Sequence, residues 1–149
     1  VLNINGFMKL ALYSDRARQS VVKARKYISE NLIGIEKNDM RKFRDEILRG
    51  NHPELKTLMK LADFYTASEF RDLCFHQQEH RFTISQLEEL LNENKLQFLG
   101  FMTSQKIQNN YHKLFPNDTY HTKLKNWNKF EIANPETFIS MFQFWVKKN

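Results

Sequence analysis

Residues 76–80, His-Gln-Gln-Glu-His, carry the side chains best suited to chemistry in this chain. On a helix, the pattern H-x-x-E-H would place His76 and His80 on one face, where they could bind one zinc ion with Glu79 as general base. A helix-start pattern at Thr83 follows at once, so such a helix would have to end immediately. The downstream sequence also marks no convincing third ligand. We therefore predict no metal site and keep a zinc hydrolase as the third hypothesis.

A second group of polar residues follows an apolar run that predicts a strand over residues 7–13. Ligands bind beyond the carboxyl ends of strands in open α/β sheets. We therefore expect Tyr13 and Ser14 to contact a substrate, and Arg16 or Arg18 to hold an anionic group of it. The structural alternative is a helix N-cap flanked by arginines that point into solvent.

Aromatic and cationic residues alternate over residues 111–113 and 120–129, as they do on surfaces that bind single-stranded nucleic acid. Trp127, however, lies in helical register with Leu124 and Phe130, so we expect its indole in the core. The lysines of this segment would then form a solvated face. The net charge of +6 and the pI near 9.4 favour anionic partners, or they describe a basic surface without a binding role.

The apolar pattern predicts about seven helices and about two strands, so the fold class is mainly α. The strands are expected over residues 7–13 and 96–102. The helices are expected from an N-cap at Ser14-Asp15 to Gly34, over 39–48 and 54–60, after capping boxes at Thr66 and Thr83, from Ser104 to about 115, around 124–130, and after Asn134-Pro135. Two strands make no stable sheet alone, so helices cover them or they belong to a larger sheet.

Two of these helices carry specific burial predictions. The first should bury one face that consists of Ala17, Val21, Ala24, Ile28 and Leu32. The last should bury Phe138, Met141, Phe142 and Trp145. Residues 63–65 are expected to form a loop.

The composition limits the class of protein. A chain of 149 residues with 41% hydrophobic residues and 13 Phe predicts a single folded domain over 1–149. Cys74 is the only cysteine, which excludes an intrachain disulfide and favours a cytoplasmic setting; we expect a buried, inert thiol. No apolar run approaches the roughly 20 residues of a membrane span. The 4 glycines are too far apart for a phosphate-binding loop.

Four segments together resemble a known family: residues 1–18, 71–84, 96–101 and 134–145. The most specific of them is Arg71-Asp72-Leu73-x-Phe75-His76-x-x-Glu79-His80-Arg81-Phe82-Thr83-Ile84, and the first contains Val1-Leu2-x-x-x-Gly6 before the strand Met8-Lys9-Leu10-Ala11-Leu12-Tyr13-Ser14. They resemble the C-terminal part of a bacterial group of class I S-adenosylmethionine-dependent methyltransferases, often fused to tetratricopeptide repeats. The chain lacks the family's proline in the turn before Gly6 and has Ser85 where a family-like proline follows Thr-Ile.

The resemblance implies the C-terminal portion of a Rossmann-like α/β methyltransferase, from the fifth strand onward, with a helical cap over the substrate. The chain begins inside an apolar pattern and without an initiator Met, so we expect a fragment that lacks the upstream cofactor-binding strands. S-adenosylmethionine would be the cofactor of the full-length protein. None is expected to bind tightly to this fragment.

The resemblance also implies roles for individual residues. Methyl transfer needs a deprotonated acceptor held in line with the methyl group, so the candidate catalytic base is His76, Glu79 or His80. The substrate-binding residues would be Tyr13, Ser14, Arg16, Arg18, Arg81 and Phe82. The structural alternative is that the histidines hydrogen-bond neighbouring helix ends and Glu79 pairs with Arg81.

The leading hypothesis is therefore the substrate-capping region of a cytoplasmic methyltransferase, inactive by itself. Its methyl acceptor stays open among protein, small molecule and nucleic acid, and no membrane partner is expected. Exposed strand edges would allow self-association. The alternative hypothesis is a basic helical module that binds nucleic acid or an acidic protein partner.

Overall fold

A computed structural model describes residues 2–76 and 78–149. Val1 and Gln77, which belong to the segments singled out above, lie outside the described residues. The sequence predicts one domain, and the contacts divide the chain into two compact units. The sheet unit consists of Val1–Ala17 with His80–Asn149, and the helical unit consists of Arg18–Glu79.

The described residues form four strands, six α-helices and two short 3-10 helices. The strands are β1 (Phe7–Ser14), β2 (Arg81–Phe82), β3 (Leu96–Phe101) and β4 (Phe142–Lys148). The α-helices are α1 (Gln19–Glu30), α2 (Lys37–Leu48), α3 (Ala67–Phe75), α4 (Ile84–Glu93), α5 (Gln105–Leu114) and α6 (Leu124–Ala133). The 3-10 helices are Pro53–Lys60 and Ala62–Phe64, so the loop predicted over 63–65 is partly helical.

The sheet unit is built on a four-stranded sheet with the order β2-β1-β4-β3. β4 pairs antiparallel with both β1 and β3, so β1 and β3 run in the same direction. β2 pairs parallel with β1 only at Tyr13 and Ser14. The register of β3 shifts between Phe98 and Gly100, where glycine takes the positive φ of 139° that side chains disfavour.

One face of this sheet forms the core of the unit. Leu10 of β1 pairs with Phe144 of β4, which pairs with Phe101 of β3, and such apolar triplets repeat along the strands. Helices α4, α5 and α6 supply the opposite wall, where Trp127 is fully buried as predicted and stacks on Tyr111 at 3.9 Å between ring centroids. Aromatic packing therefore dominates this core.

The final helix predicted after Asn134-Pro135 is wrong, because residues 142–148 form the strand β4. Phe142, Phe144 and Val146 are buried with the period of two that a strand gives, whereas Trp145 is 42% exposed on the other face. The spacing from Phe138 to Trp145 fits a helix equally well, which misled the prediction. β2 and β4 together raise the strand count from the predicted two to four.

Helix α1 differs from its prediction at both ends. It begins at Gln19 without a side-chain cap bond, so the helix start predicted at Ser14-Asp15 is wrong, although the hydroxyl of Ser14 accepts from the N–H of Ala17 as a cap would. It ends at Glu30, and Leu32, predicted as buried, is 90% exposed with a positive φ of 51°. Val21, Ala24 and Ile28 are buried as predicted.

Side-chain caps begin three other helices as predicted. Thr83 accepts a hydrogen bond from the backbone N–H of Gln86, whose side chain accepts one from the backbone N–H of Thr83, so this capping box is complete. Ser104 caps α5, and Thr66 caps α3 by accepting from the N–H of Glu69. The box predicted at Thr66 is only half formed, because the carboxylate of Glu69 accepts from the Thr66 hydroxyl at 2.6 Å and not from its backbone N–H. No helix within residues 2–76 and 78–149 combines the length and the apolar character that a membrane crossing requires.

Candidate functional site

The carboxyl end of β1 brings together several of the residues predicted to bind substrate. Tyr13 and Ser14 are paired with Arg81 and Phe82 of β2. The N–H of Asp15 donates to the carbonyl oxygen of Phe82 at 2.9 Å, and Nε of Arg81 donates to Oδ1 of Asp15 at 3.3 Å. This strand end of the sheet unit therefore presents a carboxylate and a guanidinium that are only partly buried.

Ser14 lies below that surface and is fully buried. Its hydroxyl donates to Oε1 of Glu131 at 2.5 Å and accepts from the N–H of Ala17 at 3.0 Å. Both hydrogen-bonding roles of the hydroxyl are thus taken by the protein. In this structure Ser14 fixes the end of β1 to helix α6, and its role in substrate binding stays a prediction.

Glu131 is the polar residue of this strand end that the sequence analysis missed. Burial raises the pKa of its carboxyl, and the hydrogen bond from Ser14 and the charge of Arg16 oppose that rise only in part. A signal was present in the sequence, because Glu131 follows Leu124 and Trp127 at helical spacing on the buried face of α6. A carboxyl there has to be buried with a hydrogen-bond partner, and Ser14 is that partner.

Arg16 and Tyr13 lie at the same end of β1 and are accessible to solvent. Arg16 is exposed and Tyr13 is half-buried. Among the six predicted substrate-binding residues, Tyr13, Ser14, Arg16, Arg81 and Phe82 all belong to the sheet unit. These five residues share a location at the end of β1, and contact with a substrate stays a prediction.

Arg18, the sixth of those residues, belongs to the helical unit and binds Glu79 there. Its Nη2 lies 2.7 Å from Oε2 of Glu79 and its Nε lies 3.2 Å from Oε1, which is a two-point ion pair. Nη2 of Arg25 donates to the same carboxylate at 3.1 Å and to the carbonyl oxygen of Leu73 at 2.9 Å. The side chains of Arg18 and Glu79 are almost completely buried.

This ion-pair cluster gives Glu79 two partners that the sequence analysis did not predict. Glu79 pairs with Arg18 and Arg25, and Arg81 pairs with Asp15. The predicted pairing of Glu79 with Arg81 stays a prediction. A carboxylate held by two guanidiniums is stabilised in its charged form. Glu79 therefore anchors the end of the helical unit in this structure.

His76 and His80, the other candidate bases, do not share a helix face. Helix α3 ends at Phe75, and His76 has an extended backbone with φ −70° and ψ 131°. Both imidazoles are exposed, His76 in the helical unit and His80 in the sheet unit. Residues 76 and 78–80 do not lie in the helix that the H-x-x-E-H zinc geometry needs. No cluster of three metal-binding side chains occurs among the described residues.

A second buried polar cluster lies between α5 and α6. The hydroxyl of Tyr111 donates to Oδ2 of Asp118 at 2.5 Å, and Asp118 also accepts from the N–H groups of Thr122 and Lys123. Burial alone would raise the pKa of the Asp118 carboxyl, but these hydrogen bonds outweigh it and lower the pKa below its ordinary value. Asp118, Thr122 and Lys123 belong to the connection into α6, and Tyr111 belongs to α5, so the cluster has a structural role in fixing the connection to α5.

Cys74 is buried as predicted. Burial raises the pKa of its thiol to about 12, and the charges of Arg25 and Arg18 lower it only in part. Because the thiolate is the reactive form, this thiol is inert at neutral pH.

The chain matches no protein-family model, no curated protein and no solved structure. Its functional assignment therefore rests on its own residues and their arrangement. The arrangement most informative about function is the end of β1, with Asp15, Arg81 and the buried pair of Ser14 and Glu131.

Proposed function

We propose that this chain is the C-terminal, substrate-capping region of a cytoplasmic class I S-adenosylmethionine-dependent methyltransferase. The observation that carries the proposal is the strand order, in which β4 lies antiparallel between β1 and β3. The resemblance makes β1 the fifth strand of a Rossmann-like sheet, and β4 and β3 would extend that sheet beyond it.

The end of β1 supports the same proposal. In an open α/β sheet, ligands bind beyond the carboxyl ends of the strands. Tyr13, Arg16 and Arg81 would there face the methyl acceptor, and Phe82 would line the same edge. Ser14 and Glu131 would hold that edge in place through their buried hydrogen bond. The acceptor class remains protein, small molecule or nucleic acid.

The catalytic base is proposed among the two exposed histidines, because Glu79 is bound to two guanidiniums. A neutral imidazole of His76 or His80 would remove the proton from the accepting oxygen or nitrogen. S-adenosylmethionine would supply the methyl group, held by residues upstream of this chain. Residues of this chain would orient the acceptor in line with that group.

Calorimetry tests the proposal directly. A protein extended upstream of Val1 should bind S-adenosylmethionine with a stoichiometry of one, and residues 1–149 alone should show no heat of binding under the same conditions. An extended protein that does not bind S-adenosylmethionine would contradict the proposal. The far-ultraviolet circular dichroism of both proteins serves as the control for folding.

A basic binding module is the second candidate, favoured by the charge of +6 and by one exposed aromatic residue. Trp127 is buried and cannot stack on a base, but Tyr120 is exposed beside the basic start of α6, where Lys123 and Lys125 are exposed. Fluorescence anisotropy with labelled single-stranded RNA tests it. Binding that weakens steeply with salt would support this candidate, and absent or salt-insensitive binding would remove it.

A further inference from the structure

The helical unit contains a groove of about 620 Å³, and its lining includes His76, one of the two proposed bases. It lies between the C-terminal half of α1 and the C-terminal end of α3. Most residues of its lining are aliphatic or aromatic. These are Ile28, Leu32, Ile33, Ile35 and Phe75. A groove of this size falls within the range of small-molecule sites in proteins, about 300–1,000 Å³.

The mouth of the groove exposes large apolar side chains. Leu32 is 90% exposed and Ile35 is 60% exposed, and each could cover a ligand in the groove. Leu32 also has a positive φ of 51° at the position after α1 where glycine is usual. The N–H of Ile33 donates to the carbonyl oxygen of Ile28, and that of Leu32 to Ser29, which is the hydrogen-bond pattern of a glycine-type helix end. A leucine there costs backbone strain and gains only exposed apolar surface, which is the surface a ligand would cover.

A fixed cation lines the same groove. Arg25 donates from Nε and Nη2 to the carbonyl oxygen of Leu73, at 3.1 and 2.9 Å, and from Nη2 to Glu79 at 3.1 Å. The side chain of Arg25 is 17% exposed to solvent. Since these three bonds hold the guanidinium in one orientation, an anion would bind it with little further loss of side-chain entropy. The thiol of Cys74 lies in the same lining and adds apolar surface.

We propose that this groove binds a linear acyl chain with a terminal carboxylate, a free fatty acid. The carboxylate would lie against the guanidinium of Arg25, and the chain would run along Ile28 and Ile33 toward Leu32 and Ile35. Charge complementarity selects the anionic end, because a guanidinium prefers a carboxylate over a neutral hydroxyl. The apolar walls favour the hydrocarbon chain. This binding activity depends on Arg25 and the apolar lining and does not require methyltransferase activity, although His76 lines the same groove.

Calorimetry with three ligands tests the proposal on the whole chain, with the two carboxylates below their micelle concentrations and decanol below its solubility limit. Decanoate should bind with a stoichiometry of one, and dodecanoate about 15-fold more tightly, since each added methylene is worth about a fourfold change in affinity. Decanol should bind about tenfold or more weakly than decanoate. Equal binding of decanol and decanoate would overturn the proposal, since the charged end would then have no partner.

Leu32→Gly is the sharpest variant, because it removes the apolar mouth and also relieves the positive φ. It should unfold at the same or a higher temperature than the wild type and yet bind decanoate roughly threefold or more weakly. Ile35→Ser should also weaken the binding of decanoate. Ile4→Ser, at an exposed apolar position of the sheet unit, is the matched control and should leave the affinity unchanged.

Changes in the NMR chemical shifts of the backbone amides would locate the decanoate site. Decanoate should shift the resonances of residues 28–35 and 74–76, and shifts confined to the sheet unit would contradict the proposal. Co-sedimentation with phosphatidylglycerol vesicles in the absence of decanoate binding would assign the groove to a membrane surface and overturn the fatty-acid assignment.

Discussion

Ser14 and Glu131 form a buried hydrogen bond of 2.5 Å between side chains 117 positions apart in the chain. The bond joins the last residue of β1 to helix α6, so the strand end and the helix cannot move independently. Ser14→Ala would leave the carboxyl of Glu131 and the N–H of Ala17 without this partner. We expect a loss of about 1–3 kcal/mol in the free energy of unfolding, measured with urea. Ser85→Ala, at an exposed serine, is the control and should change little.

Glu131→Gln should change how stability depends on pH. The folded-state pKa of Glu131 is raised, so the folded protein holds the proton more tightly than the unfolded chain. Wild-type stability therefore falls as the pH rises from the unfolded pKa through the folded one. Glutamine cannot ionise, so the variant should gain stability relative to wild type across that interval, and the gain should then level off. Urea titrations from pH 4 to 8 check this, and a parallel pH profile in both proteins would contradict it.

Glu79→Gln should be severely destabilising. The substitution removes the carboxylate that Arg18 and Arg25 share and leaves two guanidiniums packed close together. Breaking a buried ion pair on one side costs about 3–5 kcal/mol, which urea unfolding would measure. Glu89→Gln, at an exposed position of α4, is the matched control. A loss below about 1 kcal/mol would show that the cluster does not hold the helical unit together.

Phe144 and Trp145 separate the two interpretations of the C-terminal segment. In the strand β4, Phe144 is fully buried and Trp145 is 42% exposed. Phe144→Ala should lower the free energy of unfolding by about 3–5 kcal/mol, and Trp145→Ala by much less. A helix with Trp145 buried would reverse that order. Urea unfolding of the two variants therefore decides the structure of this segment.

The two exposed histidines give the proposed reaction its mutational test. In an upstream-extended protein with methyltransferase activity, His76→Ala or His80→Ala should lower kcat about 100-fold or more and leave the affinity for S-adenosylmethionine unchanged. His112→Ala, at another exposed histidine, is the control. Both variants at wild-type kcat would remove the histidines as bases. The rate of S-adenosylhomocysteine formation is the measurement.

Local signals in the sequence predicted the parts of this fold that depend on neighbours along the chain. The capping box at Thr83, the buried indole of Trp127 and the strand after Gly6 follow from hydrogen bonds or periodicity within a few residues. The sequence did not predict β2, because a strand of two residues has no periodicity of its own and exists only through its pairing with Tyr13 and Ser14. β4 was predicted as a helix because an apolar spacing of three and four residues also fits its core positions.

For the candidate site, the sequence likewise predicted the features that depend on neighbouring residues and missed those that depend on distant ones. The strand-end location of Tyr13 and Ser14 followed from the apolar run before them. The partners of the charged residues did not follow, since Arg18 and Glu79 are 61 positions apart and Ser14 and Glu131 are 117 apart. Pairing between distant charges depends on how the elements pack, and the order of residues does not encode it locally.

The open edge of β1 has a consequence for how this protein behaves at high concentration. β2 pairs only with Tyr13 and Ser14, so among the described residues no strand pairs with that edge from Phe7 to Leu12. An unpaired edge is a template for another strand, and Phe7 on it is largely exposed. Lys9 is the one charge of the strand, and two copies pairing antiparallel about this residue would bring two ammonium groups together. While this edge of β1 is unpaired, the charge of Lys9 should therefore disfavour edge-to-edge association. In the full sheet proposed above, an upstream strand would cover the same edge.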